Sequence, residues 1–189
     1  VLDRIRSENP GAYYTGQRSN PANPAIHFET TGPEIWRDTD GAVDILVSTV
    51  GTGGTISGAG KYLKEKKPSL RVILVEPTAD SVPSIDNPKA ETIEGVHKVT
   101  DVDETILPEN YDKAIVDEIV AVTTEQARRA ALSVAREEGF LVGTSSGAAI
   151  AVALQIAKRP ENAGKTIVAV LPDSGERYLS LFQEPVIAD

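Results

Sequence analysis

The stretch Val43-Asp44-Ile45-Leu46-Val47-Ser48-Thr49-Val50, running directly into Gly51-Thr52-Gly53-Gly54-Thr55, decides the fold. Its first part is apolar and β-branched enough for a strand buried on both faces, as in a parallel sheet. The glycine-rich turn stops that strand, and a helix pattern follows from about Ile56 to Lys66, ending at Pro68. Such a strand, turn and helix N-terminus make a ready anion site, because free backbone N–H groups and the positive helix end converge on one spot. Glycines let the backbone approach a phosphate without Cβ obstruction, and the threonines add hydroxyl donors. Gly51, Thr52, Gly53, Gly54 and Thr55 are therefore the candidate phosphate-binding residues.

Outward from this turn, Arg71 to Val75 reads as a second buried strand closed by Glu76-Pro77, which completes a βαβ unit. Ile119 to Val122 is a short strand, and Thr123 and Gln126 have capping-box spacing at the start of a helix that runs to Glu138. Gly143-Thr144-Ser145-Ser146-Gly147 opens another helix reaching about Lys158, and Thr166 to Leu171 is a buried strand ending at Pro172-Asp173-Ser174-Gly175. A last short helix holds Tyr178 and Leu179. On the other side, residues 2–9 read as a helix end, Ala12 to Thr15 as a short strand, Asn20 to Pro24 as a turn cluster, and His27 to Arg37 as a helix. Residues 78–110 are polar and proline-bearing, which predicts a loop-rich excursion. The alternation predicts an α/β fold with an open, mostly parallel sheet flanked by helices, one domain over residues 1–189.

Bulk composition narrows the function. With 189 residues the chain can bury one ordinary core, and a net charge of −9 argues against nucleic-acid binding. No apolar run is long enough to span a bilayer, and no signal-peptide pattern is present. The absence of cysteine excludes disulfides, zinc–thiolate sites and thiol nucleophiles, which fits a cytoplasmic protein. Without any methionine and beginning at Val1, the sequence reads as a piece of a longer polypeptide or as one with residues missing.

Several chemistries compete for the motifs. Gly51 and Gly53 fit a dinucleotide fingerprint with Glu76 as the ribose-binding acid, but Ile56 stands where the third glycine belongs. No Gly-Lys-Ser/Thr follows to make a nucleotide P-loop. Gly143 to Gly147 matches a Gly-x-Ser-x-Gly nucleophile elbow, yet both histidines, His27 and His97, precede it, against the order that hydrolase architecture needs. Those histidines read as surface or helix-end residues. Asp101, Asp103 and Glu104 read as a solvated acidic loop rather than a metal site. Each glycine-rich turn also has a plain reading as a strand-to-helix connection.

Taken together, four segments carry a resemblance. Asn20-Pro21-Ala22-Asn23-Pro24-Ala25-Ile26-His27 with Thr31-Gly32-Pro33-Glu34-Ile35-Trp36, then Val50 to Gly58, then Glu137 to Ala149, and Leu171-Pro172-Asp173-Ser174-Gly175-Glu176-Arg177-Tyr178-Leu179-Ser180 resemble the cysteine synthase (O-acetylserine sulfhydrylase) family in the same order. That resemblance implies the larger, C-terminal domain of a pyridoxal 5'-phosphate enzyme of the tryptophan-synthase-β type. It implies that Gly51 to Thr55 cradle the cofactor phosphate and that Ser145 meets the pyridine nitrogen. A serine there makes the ring a milder electron sink than a carboxylate would. The implied reaction replaces the acetate of O-acetylserine with sulfide. The implied partners are a second copy in a homodimer and serine acetyltransferase. Cystathionine β-synthase shares the glycine loop and the Pro-Asp-Ser ending and is the alternative within the enzyme class; a non-catalytic phosphate-ligand or NAD-binding α/β module is the alternative from another class. In the family the catalytic lysine lies far ahead of the glycine loop, further than the fifty residues preceding Gly51. No lysine of this chain is therefore assigned that role, and the chain alone is expected to be inactive. The family's glycine-rich run beside the active site falls in register with Asp101 to Ile106, which would bring acids toward an anionic cofactor unless that loop points elsewhere.

Overall fold

The computed structural model describes residues 2–182; residue 1 and residues 183–189 of the expected domain lie outside the described residues. Four strands, β1 (Val43–Thr49), β2 (Arg71–Pro77), β3 (Glu118–Val122) and β4 (Thr166–Ala169), form one parallel sheet in the order β3-β2-β1-β4. The expected open parallel sheet is thus present, with β1 and β2 at its centre. Their side chains alternate between two cores, as a doubly covered sheet requires. Ile45, Val47, Ile73 and Val75 pack on one face against Val152 and Ile156 of α6 (Thr144–Ala157) and Ala127 of α5 (Thr124–Glu137). Leu46, Val72 and Leu74 pack on the other against Ile56 and Leu63 of α4 (Gly54–Lys66).

The remaining helices lead into this frame: α1 (Leu2–Glu8), α2 (Ala22–Ile26) and α3 (Gly32–Asp38). A wide π-helical turn, His27–Thr31, joins α2 to α3. The expected turn cluster therefore begins a helix instead. Asn20 accepts from the Ala22 amide at 3.0 Å, and Pro21 and Pro24 fall where a first turn has no amide to lose. The expected strand over Ala12 to Thr15 is absent: Tyr13 is 85% exposed, and among the described residues no strand lies beside it. β-propensity without a neighbouring strand makes no strand.

Polar side chains pin the sheet. At an irregularity between Val43 and Ile45, the Asp44 carboxylate accepts from the Thr166 amide at 2.8 Å and from Lys67 at 2.7 Å. Glu118 at the start of β3 holds Arg71 at 2.6 Å and Arg159 at 2.7 Å, tying β2 and the approach to β4 together. The capping box at α5 forms as its spacing predicts, Thr123 Oγ1 accepting from the Gln126 amide and Gln126 Oε1 from the Thr123 amide. Replacing Thr123 with alanine is expected to cost about 1 kcal/mol of stability in urea denaturation, with the slope unchanged.

Candidate functional site

In a parallel sheet all strands end on the same side, so the loops leaving adjacent β1 and β4 meet. Between them lies a cavity of about 290 Å³. Ser48, Thr49, Gly51, Thr52 and Thr55 line it from the β1 side; Ser145, Pro172, Asp173 and Tyr178 line it from the other, and Glu94-Gly95 close it. Four of the six candidate cofactor-binding residues, Gly51, Thr52, Thr55 and Ser145, are therefore brought into one cavity although 90 residues separate Thr55 from Ser145. Gly53 and Gly54 lie next to these residues in the loop, and packing leaves neither room for a side chain. A Cβ on Gly53, whose φ is +84°, would stand 2.6 Å from the Tyr111 backbone, and one on Gly54 would fall 1.9 Å from Asn23 Oδ1.

The two loop threonines are braced by residues of the Asn20–His27 motif. Asn23 Nδ2 donates to Thr52 Oγ1 at 2.9 Å, and His27 bridges Thr55 Oγ1 at 3.1 Å and Thr31 Oγ1 at 2.9 Å. His27 is thus a half-buried strut and no idle surface residue; burial lowers its pKa, so at neutral pH it is an uncharged imidazole. Nothing in the spacing of their motif marks Asn23 and His27 as the residues that brace Thr52 and Thr55.

Two helix N-termini face this region, and they differ. No side chain caps α4: Gly53 is its N-cap, and the Gly54 amide is a long 3.5 Å from Thr52 Oγ1. Its first amides are left for an anion. The N-terminus of α6, by contrast, already has a carboxylate against it. Asp173 Oδ1 accepts from Ser145 Oγ at 3.1 Å, its backbone oxygen accepts from the Gly143 amide at 3.1 Å and Ser146 Oγ at 3.2 Å, and Oδ2 accepts from Tyr178 at 2.6 Å. The bond to Asp173, with burial and the nearby charges of Asp173 and Glu94, pushes the Tyr178 phenol up to about 12, so it stays a donor. The cavity therefore welcomes an anion at one end and a hydrogen-bond donor or cation at the other. A ring carrying a phosphate on one side and a nitrogen on the other fits that donor set.

The rival chemistries lose their key residues. Glu76 is no ribose ligand, because its carboxylate accepts from the Val99 and Thr100 amides at 2.8 and 3.0 Å, bonds the Thr100 hydroxyl and pairs with Lys98 at 3.4 Å. Ser145 meets a carboxylate and no imidazole, so the hydrolase elbow has no base. Among the described residues no acidic or histidine cluster could hold a metal. The acidic segment turns away from the cavity: Asp103 caps Thr105 and Glu104 pairs with Lys113 at 2.8 Å, both exposed. Gly95 stands beside Gly51, where a Cβ on Gly51 would come within 2.8 Å of the Gly95 oxygen. A larger cavity of about 590 Å³ lies against Gly58 and Lys61, but its prolines, Phe28 and charges of both signs converge on no single ligand group.

Sequence comparison now agrees with the geometry. The model of the pyridoxal-phosphate dependent enzyme family matches residues 1–173, and the chain belongs to that family. It is 44% identical over 181 residues to cysteine synthase A of Escherichia coli, covering 94% of this chain and 56% of that protein. It is 48% identical over 166 residues to a cysteine synthase of Buchnera aphidicola, covering 87% of this chain and 52% of that one. The crystal structure of a cysteine synthase from Entamoeba histolytica superimposes with a TM-score of 0.81 at 41% identity over all of this chain and 54% of its own. A crystal structure of an O-ureido-L-serine synthase does so with a TM-score of 0.83 at 35% identity, over 99% of this chain and 58% of its own. The chain thus spans little more than half the length of the relatives it matches.

Glu76 also sets a pH dependence. Burial pushes its carboxyl up, but the Thr100 hydroxyl, the two amides and Lys98 outweigh that, and the net pKa is lowered. A depressed carboxyl stabilises the fold above its unfolded pKa and loses that contribution as pH falls through the folded value. Glu76→Gln is expected to cost about 2 kcal/mol at pH 7, with the gap to wild type shrinking as the pH drops below about 4. Urea denaturation at pH 7 and pH 3 measures it; an unchanged gap would make the loss one of shape and not of charge.

Proposed function

We propose that this chain is the C-terminal, cofactor-binding part of an enzyme that makes L-cysteine from O-acetylserine and sulfide. In this reading Gly51, Thr52, Gly53, Gly54 and Thr55 hold the phosphate of pyridoxal 5'-phosphate, and Ser145 meets its ring nitrogen. One observation carries the reading: a cavity with an uncapped helix N-terminus at one end and a carboxylate-backed serine at the other. When bound, the cofactor supplies an electron sink for chemistry at an amino acid's α and β carbons.

The chain's own residues bind and orient. Backbone amides at the start of α4 and the hydroxyls of Thr52 and Thr55 receive the phosphate, while Asn23 and His27 keep those hydroxyls in place. Gly95 and Glu94 close the cavity over its middle, and Ser145 fixes the ring's far edge. No lysine lines the cavity among the described residues. The lysine that binds the cofactor covalently therefore belongs to another part of the polypeptide in this reading, and the chain alone binds without turning over. The resemblance further supports a cytoplasmic homodimer that associates with serine acetyltransferase; sedimentation of the longer polypeptide with and without that enzyme tests both.

Pyridoxine 5'-phosphate, which needs no lysine, is the direct probe of the pocket. Titrated by ligand fluorescence, it is expected to bind this chain, and Gly53→Ala is expected to weaken it at least about tenfold through the left-handed φ and the Tyr111 clash. Lys61→Ala, away from the cavity, should leave it unchanged. In the longer polypeptide loaded with pyridoxal phosphate, O-acetylserine and sulfide should yield cysteine. Cystathionine from serine and homocysteine instead would establish the alternative reaction, and preferential binding of a reduced nicotinamide would overturn the reading.

A further inference from the structure

We infer that His27 supplies the counter-charge of a bound phosphate: when the phosphate enters the cavity, the imidazole takes a proton from solvent and acts through the Thr55 hydroxyl. This rests on the reading that Gly51 to Thr55 hold the cofactor phosphate. A phosphate monoester carries about −1.5 to −2 charges near neutral pH. No lysine or arginine lines the cavity among the described residues, and the N-terminus of α4 offers only about half a positive charge. His27 can become a cation and is bonded to a cavity hydroxyl, its Nε2 standing 3.1 Å from Thr55 Oγ1.

The two side chains that brace the loop differ in what they can do. Asn23 Nδ2 donates to the Gln17 carbonyl, which only accepts, so the same amide is fixed as a donor toward Thr52. His27 instead stands between two hydroxyls, Thr55 at Nε2 and Thr31 at Nδ1, the second 2.9 Å away. A hydroxyl donates or accepts. This seat therefore holds a neutral ring, with one donor and one acceptor, or a charged ring with two donors, and no heavy atom has to move. In the charged state Thr55 receives an N–H, and its own proton is free to point at the cavity. Local packing brings the ring close: a Cβ on Gly58 of α4 would fall 2.9 Å from His27 Cβ and 2.1 Å from the Pro24 oxygen. The π-helical turn carries Thr31 to the ring's other side. The charged and titratable groups on the turn and on the elements packed against it are Glu29 on the turn, Glu34 and Arg37 on α3, and Lys61, Tyr62 and Glu65 on α4, while α2 has none. Burial alone lowers His27, so none of these decides its charge. A phosphate one hydroxyl away does, because a nearby anion favours the protonated ring.

Titration of the His27 ring by NMR, with and without saturating pyridoxine 5'-phosphate, tests the inference. The chain has two histidines, so the His27 signal is the one lost in His27→Gln; if that variant does not fold, His97→Gln assigns it by elimination. The midpoint should rise by at least about one unit on binding. Thr31→Val, which leaves the charged ring one acceptor short, should shrink the rise, and Thr31→Ser should restore it. A midpoint raised by binding means that the complex holds the proton more tightly than the free chain, so affinity gains as pH falls through the bound value. The ratio of dissociation constants, His27→Gln over wild type, should therefore grow about tenfold from pH 8 to pH 5.5, the ligand's own ionisation cancelling between the two proteins. A merely structural role for His27 would give a ratio constant with pH. That constancy, a midpoint unmoved by the ligand, or a rise undiminished in Thr31→Val would overturn the inference while leaving the cofactor reading intact. Failure of wild type to bind the probe at all would instead overturn the cofactor reading, and this inference with it.

Discussion

The parallel pairing of β1 with β4 is the constraint on which the rest depends. Val43, Leu46 and Val47 of β1 register with Thr166, Val168 and Ala169 of β4, so the two chains leave the sheet on the same side. Gly51 and Asp173 become neighbours across one cavity for that reason alone. The apolar alternation of β1 and β2 buries both faces of the sheet and gives the register little freedom, because a slip by one residue would exchange the two cores. Asp44 then fixes the start of β4 through the Thr166 amide.

On this frame the site obtains its direction from two helices treated unequally. α4 begins on a left-handed glycine and presents bare amides. α6 begins on a glycine that makes room for another segment's carboxylate. The two ends of the cavity thus offer unlike groups, bare amides at one and a carboxylate-bonded serine at the other. Glycine has two different uses here, and the same residue type in the sequence conceals the difference.

Much of this was legible because buried parallel strands are nearly continuous apolar runs. Val43 to Val50 and Arg71 to Val75 stand almost where their patterns put them, and the Thr123–Gln126 cap forms with the predicted partners. Local signals misled where a distant partner decided the outcome. Tyr13 and Tyr14 have strand propensity and no strand to pair with. Glu76 has the spacing of a ribose ligand, yet its carboxylate is taken by residues 22 to 24 positions further on. Asp101, Asp103 and Glu104 are acids beside a family motif, yet Asp103 and Glu104 are exposed and spend their carboxylates on Thr105 and Lys113. Ser145 was visible in its motif. Asp173 belongs to another motif, and the bond joining the two spans 28 residues and has no local signature.

The same pairing has a consequence for how the molecule assembles. β1 and β2 are joined by one short helix, whereas β4 reaches β1 only after most of the chain has been placed. Closing so long a loop is entropically slow, and β4 lies at the edge of the sheet, where opening is easiest. The cavity therefore exists only when an edge strand late in the chain is in position. A ligand bridging the two loops binds the closed form and not the frayed one, so by mass action it fastens the seam that creates its own site.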